Sequence, residues 1–266
     1  MCIVALAWKA HPRWPLVLAA NRDERHERPA APLSGWSHAG RAVWSGRDLQ
    51  AGGTWLAVGE RGHMGVLTNV REPGRGPPAP RSRGELPLRW LRADLEPGAP
   101  ADIPEPGQYD AFNLLMLGRE ARFASNRGVG ARPILPGLHG LSNASLDSPW
   151  PKVTRLTGQL GGALAEEVDP QALIDRMLGA LADRHRPPDG DLPDTGVGLA
   201  LERLLGSVFI EGPYYGTRCS TVVVDDGVGL WLCERSYDAG GSTTGEVRLH
   251  LRRDAEGRLW DAPFVG

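Results

Sequence analysis

Apolar residues run in short strand-length blocks at both ends of the chain and fall at helical spacing mainly between them. Cys2–Trp8 is a near-continuous apolar run; a turn over Lys9–Pro15 leads to Leu16–Ala20, and the two read as a paired strand unit. Thr54–Val58 and Met64–Val70 form a second pair across Glu60-Arg61-Gly62, and Ala111–Leu117, Arg122–Ser125 and Gly137–Asn143 are further strands. Ser82 and Glu85 have capping-box spacing ahead of a helical stretch reaching about Leu95, with Pro87 in its first turn. Val153, Leu156, Leu160 and Leu164 mark one apolar helix stripe. Leu173, Ile174, Met177, Leu178 and Leu181 mark another, which opens on Asp169-Pro170 as N-cap and first residue and ends at Arg186-Pro187-Pro188. Val197–Leu205 reads as a third, short helix of this region. Strands then return: Thr221–Val224 and Leu230–Glu234 flank the turn signal Asp225-Asp226-Gly227, and Val247, Leu249 and Leu251 alternate with polar residues.

Strands, then helices, then strands, without regular βαβ alternation, exclude a doubly wound parallel sheet and favour antiparallel sheets covered by helices. The N-terminal and C-terminal strands are expected to share a sheet, which makes residues 1–266 a single domain of the α+β class. Pro/Gly-rich stretches such as Arg71–Arg81 and Pro97–Gly107 are loops rather than domain linkers.

Charge and cysteine content narrow the function classes. The formal net charge is −2, and the arginines at Arg22, Arg25 and Arg28 are interleaved with Asp23, Glu24 and Glu27, so no basic patch for nucleic acid emerges. No apolar run reaches the roughly 18–20 residues of a transmembrane helix. Cys2–Trp8 has neither a basic residue before it nor a small-residue cleavage site after it, so it does not read as a signal peptide. The three cysteines, Cys2, Cys219 and Cys233, lack CxxC spacing, which points away from disulfide frameworks and zinc sites and toward a cytoplasmic protein with reduced thiols.

Candidate chemistry centres on Cys2. Removal of Met1 would leave one residue carrying both a thiol and a free α-amine, a nucleophile and a base that titrates near working pH. Asn21-Arg22-Asp23-Glu24 follows a strand that pairs with the one carrying Cys2. Polar residues close other apolar strands: Thr68-Asn69, Ser142-Asn143, and Arg218 before Val222–Val224. Taken singly, each is explained as well by a turn asparagine or an ion-paired arginine.

Together the blocks MCIVALAW, AANRDE, GGTWLAV, GVLTNVR, YDAFNLL, GLSNASLDSPWPKV and YGTRCSTVV resemble the NRDE family, also called the transport and Golgi organization protein 2 family. That family is similar in pattern to the N-terminal-nucleophile hydrolases, especially the bile-salt hydrolase, penicillin V acylase and acid ceramidase branch. The resemblance implies a four-layer αββα sandwich of two mostly antiparallel sheets and cleavage of non-peptide amide bonds in a small or lipid-like substrate. It implies Cys2 as nucleophile, Arg22 beside it, Asp23 orienting the α-amine, Asn69 and Asn143 in the oxyanion region, and Arg218 as a second site arginine. Positive charge from Arg22 and Arg218 would favour the thiolate. Trp8, Trp36, Trp44 and Trp55 are candidate apolar walls. The resemblance equally implies an alternative, a non-catalytic carrier of haem or acyl-lipid on the same fold. No metal or other cofactor is expected; if haem is a ligand, His63 and His139 are the candidate ligands.

Overall fold

The computed structural model describes residues 2–74, 78–93, 105–128 and 130–262. In chain order the strands are β1 (Cys2–Trp8), β2 (Leu16–Arg25), β3 (Ala30–His38), β4 (Arg41–Asp48), β5 (Leu56–Gly59) and β6 (Met64–Asn69). Helix α1 (Leu86–Ala93) precedes β7 (Phe112–Leu117), β8 (Ala121–Ser125), β9 (Arg132–Ile134) and β10 (Gly137–Leu141). Helices α2 (Pro151–Glu166), α3 (Pro170–Leu181) and α4 (Leu199–Leu205) follow, then β11 (Tyr215–Asp225), β12 (Gly229–Tyr237), β13 (Thr243–Arg253) and β14 (Leu259–Ala262).

The strands form two seven-stranded antiparallel sheets. The first has the order β10-β1-β2-β11-β12-β13-β14, so both chain ends share it as expected; the second has the order β3-β4-β5-β6-β7-β8-β9. Side chains alternate across each strand, and the two faces of the first sheet enter separate cores. Val4, Leu6, Leu16, Leu18, Val223 and Leu232 meet Leu56, Val58, Val66 and Leu115 of the second sheet. Ile3, Ala5, Val17, Ala19, Val222 and Val224 meet Leu156, Leu160, Ile174 and Met177 of α2 and α3. On the far side of the second sheet, Val43 and Ala57 pack on Leu88 and Leu91 of α1. The layers are therefore α, β, β, α, the sandwich that the family resemblance implies.

Local boundaries differ from expectation in instructive places. Ser82 caps only a 3-10 turn over Arg83–Glu85, its hydroxyl accepting from the Gly84 N–H at 3.3 Å, and the α-helix starts at Leu86 with Pro87 in its first turn. The expected helix end near Leu95 lies outside the described residues. Helix α3 has the expected cap, with Asp169 Oδ1 accepting from Gln171 N at 2.9 Å and Ala172 N at 3.0 Å. It stops at Leu181, ahead of the prolines, where the Asp183 carboxylate accepts from His185 N at 2.8 Å and turns the chain. Strand β3 escapes the sequence reading because its residues are mostly exposed, with Pro32 and Gly35 interrupting any alternation, and β4 because its buried residues Val43–Gly46 are consecutive and include Ser45 and Gly46. Most consequentially, β2 does not end at Ala20 but carries Asn21, Arg22 and Asp23 inside the sheet.

Close packing of α1 on the second sheet depends on Gly65 in β6. A Cβ there would lie 2.7 Å from Pro87 Cα and 3.0 Å from the Pro87 carbonyl oxygen. The obstacle is helix backbone, so relief requires moving α1 rather than rotating a side chain. Gly65→Ala is expected to destabilise the fold by about 1–3 kcal/mol, read as a lower urea midpoint at unchanged slope; an unshifted midpoint would show that α1 moves freely on this sheet.

Candidate functional site

Cys2 opens β1, flanked by Arg22 of β2, and Cys219 of β11 lies opposite Arg22 on the next strand. In β2, Leu16, Leu18 and Ala20 face the second sheet, whereas Val17 and Ala19 face the helices. The same alternation sends Arg22 to the inter-sheet face and Asp23 to the helix-facing side. Adjacency in sequence thus places this arginine and this aspartate on opposite faces of the sheet. The strand tolerates these polar residues because partners meet them. Asn21 Nδ2 donates to the carbonyls of Leu181 at 2.9 Å and Val208 at 3.0 Å, and Asn21 Oδ1 accepts from Ser220 Oγ at 2.6 Å. Asp23 Oδ1 accepts from Thr217 Oγ1 at 2.7 Å, and Tyr215 Oη donates to the Asp23 carbonyl at 2.8 Å.

The second sheet contributes through a seam of hydrogen bonds. Ser142 Oγ donates to the Cys2 carbonyl at 3.0 Å, and Thr68 Oγ1 to the Ser142 carbonyl at 2.7 Å. Asn143 Nδ2 donates to the Asn69 carbonyl at 2.8 Å, and the Arg71 N–H donates to the Asn143 carbonyl at 2.8 Å. Asn69, Arg71 and Asn143 are thereby held against Cys2. The two asparagines are not equivalent: Asn143 Nδ2 is engaged by Asn69, whereas Asn69 Nδ2 donates to no acceptor among the described residues.

Three cations surround this point. The Arg22 guanidinium lies over the Trp55 ring at 4.4 Å, and that of Arg71 over the Trp150 ring at 4.7 Å. Arg71 Nη1 is ion-paired with Glu202, whose other oxygen accepts from Thr195 N at 3.0 Å. Lys152, the second residue of α2, is 3% exposed. Among the described residues, Arg22 Nη1, Arg71 Nε and Nη2, and Lys152 Nζ are buried without a hydrogen-bond partner.

Burial governs the titration of the cluster. It pushes the Asp23 carboxyl up to about 6, against the opposing pull of Lys152 and the Thr217 hydroxyl. It brings the Lys152 ammonium down to about 8; Arg71 adds to the lowering, and Asp23, Cys2 and Glu202 oppose it. Burial also pushes the Cys2 thiol up, outweighing the Asp23 backbone N–H and Arg22, which favour the thiolate. Arg22 thus favours the thiolate as expected, but desolvation is the larger effect.

Of the sequence-derived site residues, Cys2, Arg22, Asp23, Asn69 and Asn143 come together. Arg218 does not join them directly. It is the extra residue of a bulge between Thr217 and Cys219, and its Nη1 meets His26 Nδ1 at 3.2 Å. Of the four tryptophans, Trp55 lines the site, Trp8 and Trp44 are core residues, and Trp36 sits beside Arg47. His139 engages both ring nitrogens, with Asp147 Oδ2 and the Leu135 carbonyl, each at 2.8 Å. His63 lines a separate small pocket with His38, Leu88 and Leu91 on the α1 side of the second sheet. Arg71, Trp150, Lys152, Glu202 and Tyr215 escaped the sequence reading as site residues. Arg71, Trp150, Lys152 and Tyr215 do lie within the blocks GVLTNVR, GLSNASLDSPWPKV and YGTRCSTVV that carry the resemblance, which was the available signal.

The unpartnered Lys152 ammonium has a measurable consequence. Between its folded value of about 8 and its unfolded value of 10.5, the unfolded chain binds more protons, so the stability lost to Lys152 is greatest below pH 8 and is recovered toward pH 10.5. Lys152→Met is expected to raise unfolding free energy by up to about 3 kcal/mol near neutral pH. The gain should fade as pH rises through that window, measured by urea unfolding of both proteins; a gain independent of pH would show that the ammonium is not its source.

The sequence model described as Transport and Golgi organisation 2 matches residues 1–239. The chain is 32% identical to the Transport and Golgi organization protein 2 homolog of Bos taurus, over 94% of this chain and 98% of that protein. It is 31% identical to the Homo sapiens homolog, over 89% of this chain and 93% of that one. Among solved structures, a mutant conjugated bile acid hydrolase from Clostridium perfringens covers 98% of this chain and 97% of its own, with a TM-score of 0.49 at 8% identity. With the family's sequence model matched over residues 1–239 and relatives aligned over most of both chains, this chain belongs to the Transport and Golgi organisation 2 family.

Proposed function

We propose that the protein is an N-terminal-cysteine amidohydrolase acting on the C–N bond of a small or lipid-like amide. The observation that carries this reading is the convergence, at the first residue of β1, of a thiol with a buried carboxyl and unpartnered cationic and amide donors. After Met1 removal, the Cys2 α-amine would accept the thiol proton, and Sγ would attack the substrate carbonyl carbon. Asp23 would hold the resulting ammonium; its carboxyl at about 6 is ionised at neutral pH. The oxyanion would be met by Asn69 Nδ2, with Asn143 fixing that amide in place. Collapse breaks the C–N bond as the ammonium protonates the leaving amine. Water, deprotonated by the same α-amine, then hydrolyses the thioester, releases the acid and restores the thiol.

One observation favours the alternative, a non-catalytic carrier of haem or acyl-lipid in the same site: burial pushes the Cys2 thiol up, which lowers the thiolate fraction.

Two measurements separate the readings. Intact mass of the purified protein should lack Met1, and an activated acyl ester should add one acyl group to the wild type but none to Cys2→Ala. Retained Met1, or labelling that survives Cys2→Ala, would sink the nucleophile assignment. A haem titration that shifts the absorbance spectrum without any acyl transfer would establish the carrier instead.

A further inference from the structure

Arg71 uses only part of its guanidinium. Nη1 holds Glu202, and the ring of Trp150 covers one face, but the edge formed by Nε and Nη2 has no acceptor among the described residues. That edge presents two parallel N–H groups at the spacing of carboxylate oxygens. The same molecule shows what the edge binds: Arg203 Nε and Nη2 meet the two oxygens of Asp189 at 2.8 and 2.5 Å, and Arg127 meets Glu72 through the same pair of atoms. Those pairs lie at the surface, where water would otherwise serve. Arg71 is only 8% exposed, so two unpaired donors there are costly to leave unmade.

Lys152 stands beside it. It lies two residues after Trp150, which stacks on Arg71, and Arg71, Glu202, Asp23 and Cys2 are its electrostatic neighbours. Its Nζ is likewise buried and unpartnered. With Arg22 set beside Glu234 and Asp23 assigned to the α-amine, Arg71 and Lys152 carry two positive charges against the single charge of Glu202. One further negative charge offsets this pair of cations, and a planar two-oxygen anion fits the fork.

We infer that Arg71, through its Nε/Nη2 edge, and Lys152 form a binding site for a carboxylate carried by the ligand near the group that faces Cys2. The substrate class is thereby narrowed to N-acyl amino acids and similar carboxylated amides. This deepens the amidohydrolase reading and rests on it for the word substrate, but carboxylate binding itself requires no acyl transfer.

The test uses full-length protein carrying Cys2→Ala, so that binding is measured without turnover. N-dodecanoylglycine and its neutral isostere N-dodecanoylglycinamide are titrated calorimetrically. The acid is expected to bind about tenfold or more tightly than the amide, a difference of about 1.4 kcal/mol. Adding Lys152→Met should collapse the ratio toward unity by weakening binding of the acid. Adding Arg71→Lys, which keeps a cation for Glu202 but removes the fork, should also reduce the ratio. Equal affinities in the parent protein, no binding of either compound, or a ratio unchanged by Lys152→Met would each overturn the site. Because the parent lacks the thiol, loss of the hydrolase reading alone would leave this preference intact.

Discussion

The hydrogen-bonded seam between the end of the first sheet and strand β6 is the constraint on which the site depends. Apolar packing holds two sheets face to face, but such contacts are non-directional and tolerate sliding. The bonds from Ser142 to Cys2, Thr68 to Ser142, Asn143 to Asn69 and Arg71 to Asn143 remove that freedom at one end. Asn113 reinforces it, donating to Thr68 Oγ1 at 3.2 Å and the Ala144 carbonyl at 2.8 Å. Most of these groups are buried, so each bond also protects a polar atom that would otherwise be stranded. The seam is therefore both a structural clamp and the device that presents Asn69 and Arg71 to Cys2.

Around this seam the molecule accepts a concentration of buried charge that a purely structural core would avoid. Arg71 and Glu202 form a buried pair, and such pairs gain little over well-packed apolar residues because desolvation offsets their attraction. Lys152 has no such direct partner among the described residues, and its depressed titration is the signature of that cost. Destabilising groups gathered at one point, beside a thiol at the start of a strand, are the pattern expected of a site kept for binding or chemistry. By contrast, the buried Glu234 is matched, accepting from Leu33 N at 2.7 Å and Thr221 Oγ1 at 3.1 Å.

Much of the architecture was legible in residue order. Cys2–Trp8, the Asp169-Pro170 cap, the Asp225-Asp226-Gly227 turn and the stripe from Leu173 to Leu181 each carry their signal within a few neighbouring residues, and each forms an element where expected. Strand β3 did not, because an exposed edge strand lacks the alternation that burial on one face imposes, and neither did β4, whose run of four buried residues mixes Val43 and Trp44 with Ser45 and Gly46. The continuation of β2 through Asn21-Arg22-Asp23 was also illegible: a polar tetrapeptide reads as a strand end unless one knows that Ser220, Thr217 and the carbonyls of Leu181 and Val208 will meet it.

Sequence alone determined the fold class, the family and five residues that gather at the candidate site, because those rest on local periodicity and on motifs that survive as ordered blocks. Only the tertiary structure decided what each residue does there. It separated Arg22 from Asp23 across the sheet through strand alternation, and gave Asn143 to the positioning of Asn69. It turned Arg218 toward His26 at a bulge, and brought Arg71 and Lys152 into a cluster that no spacing announced. The reason is that partnership and desolvation, which set whether a cation is satisfied, poised or unpaired, are properties of neighbours distant in sequence.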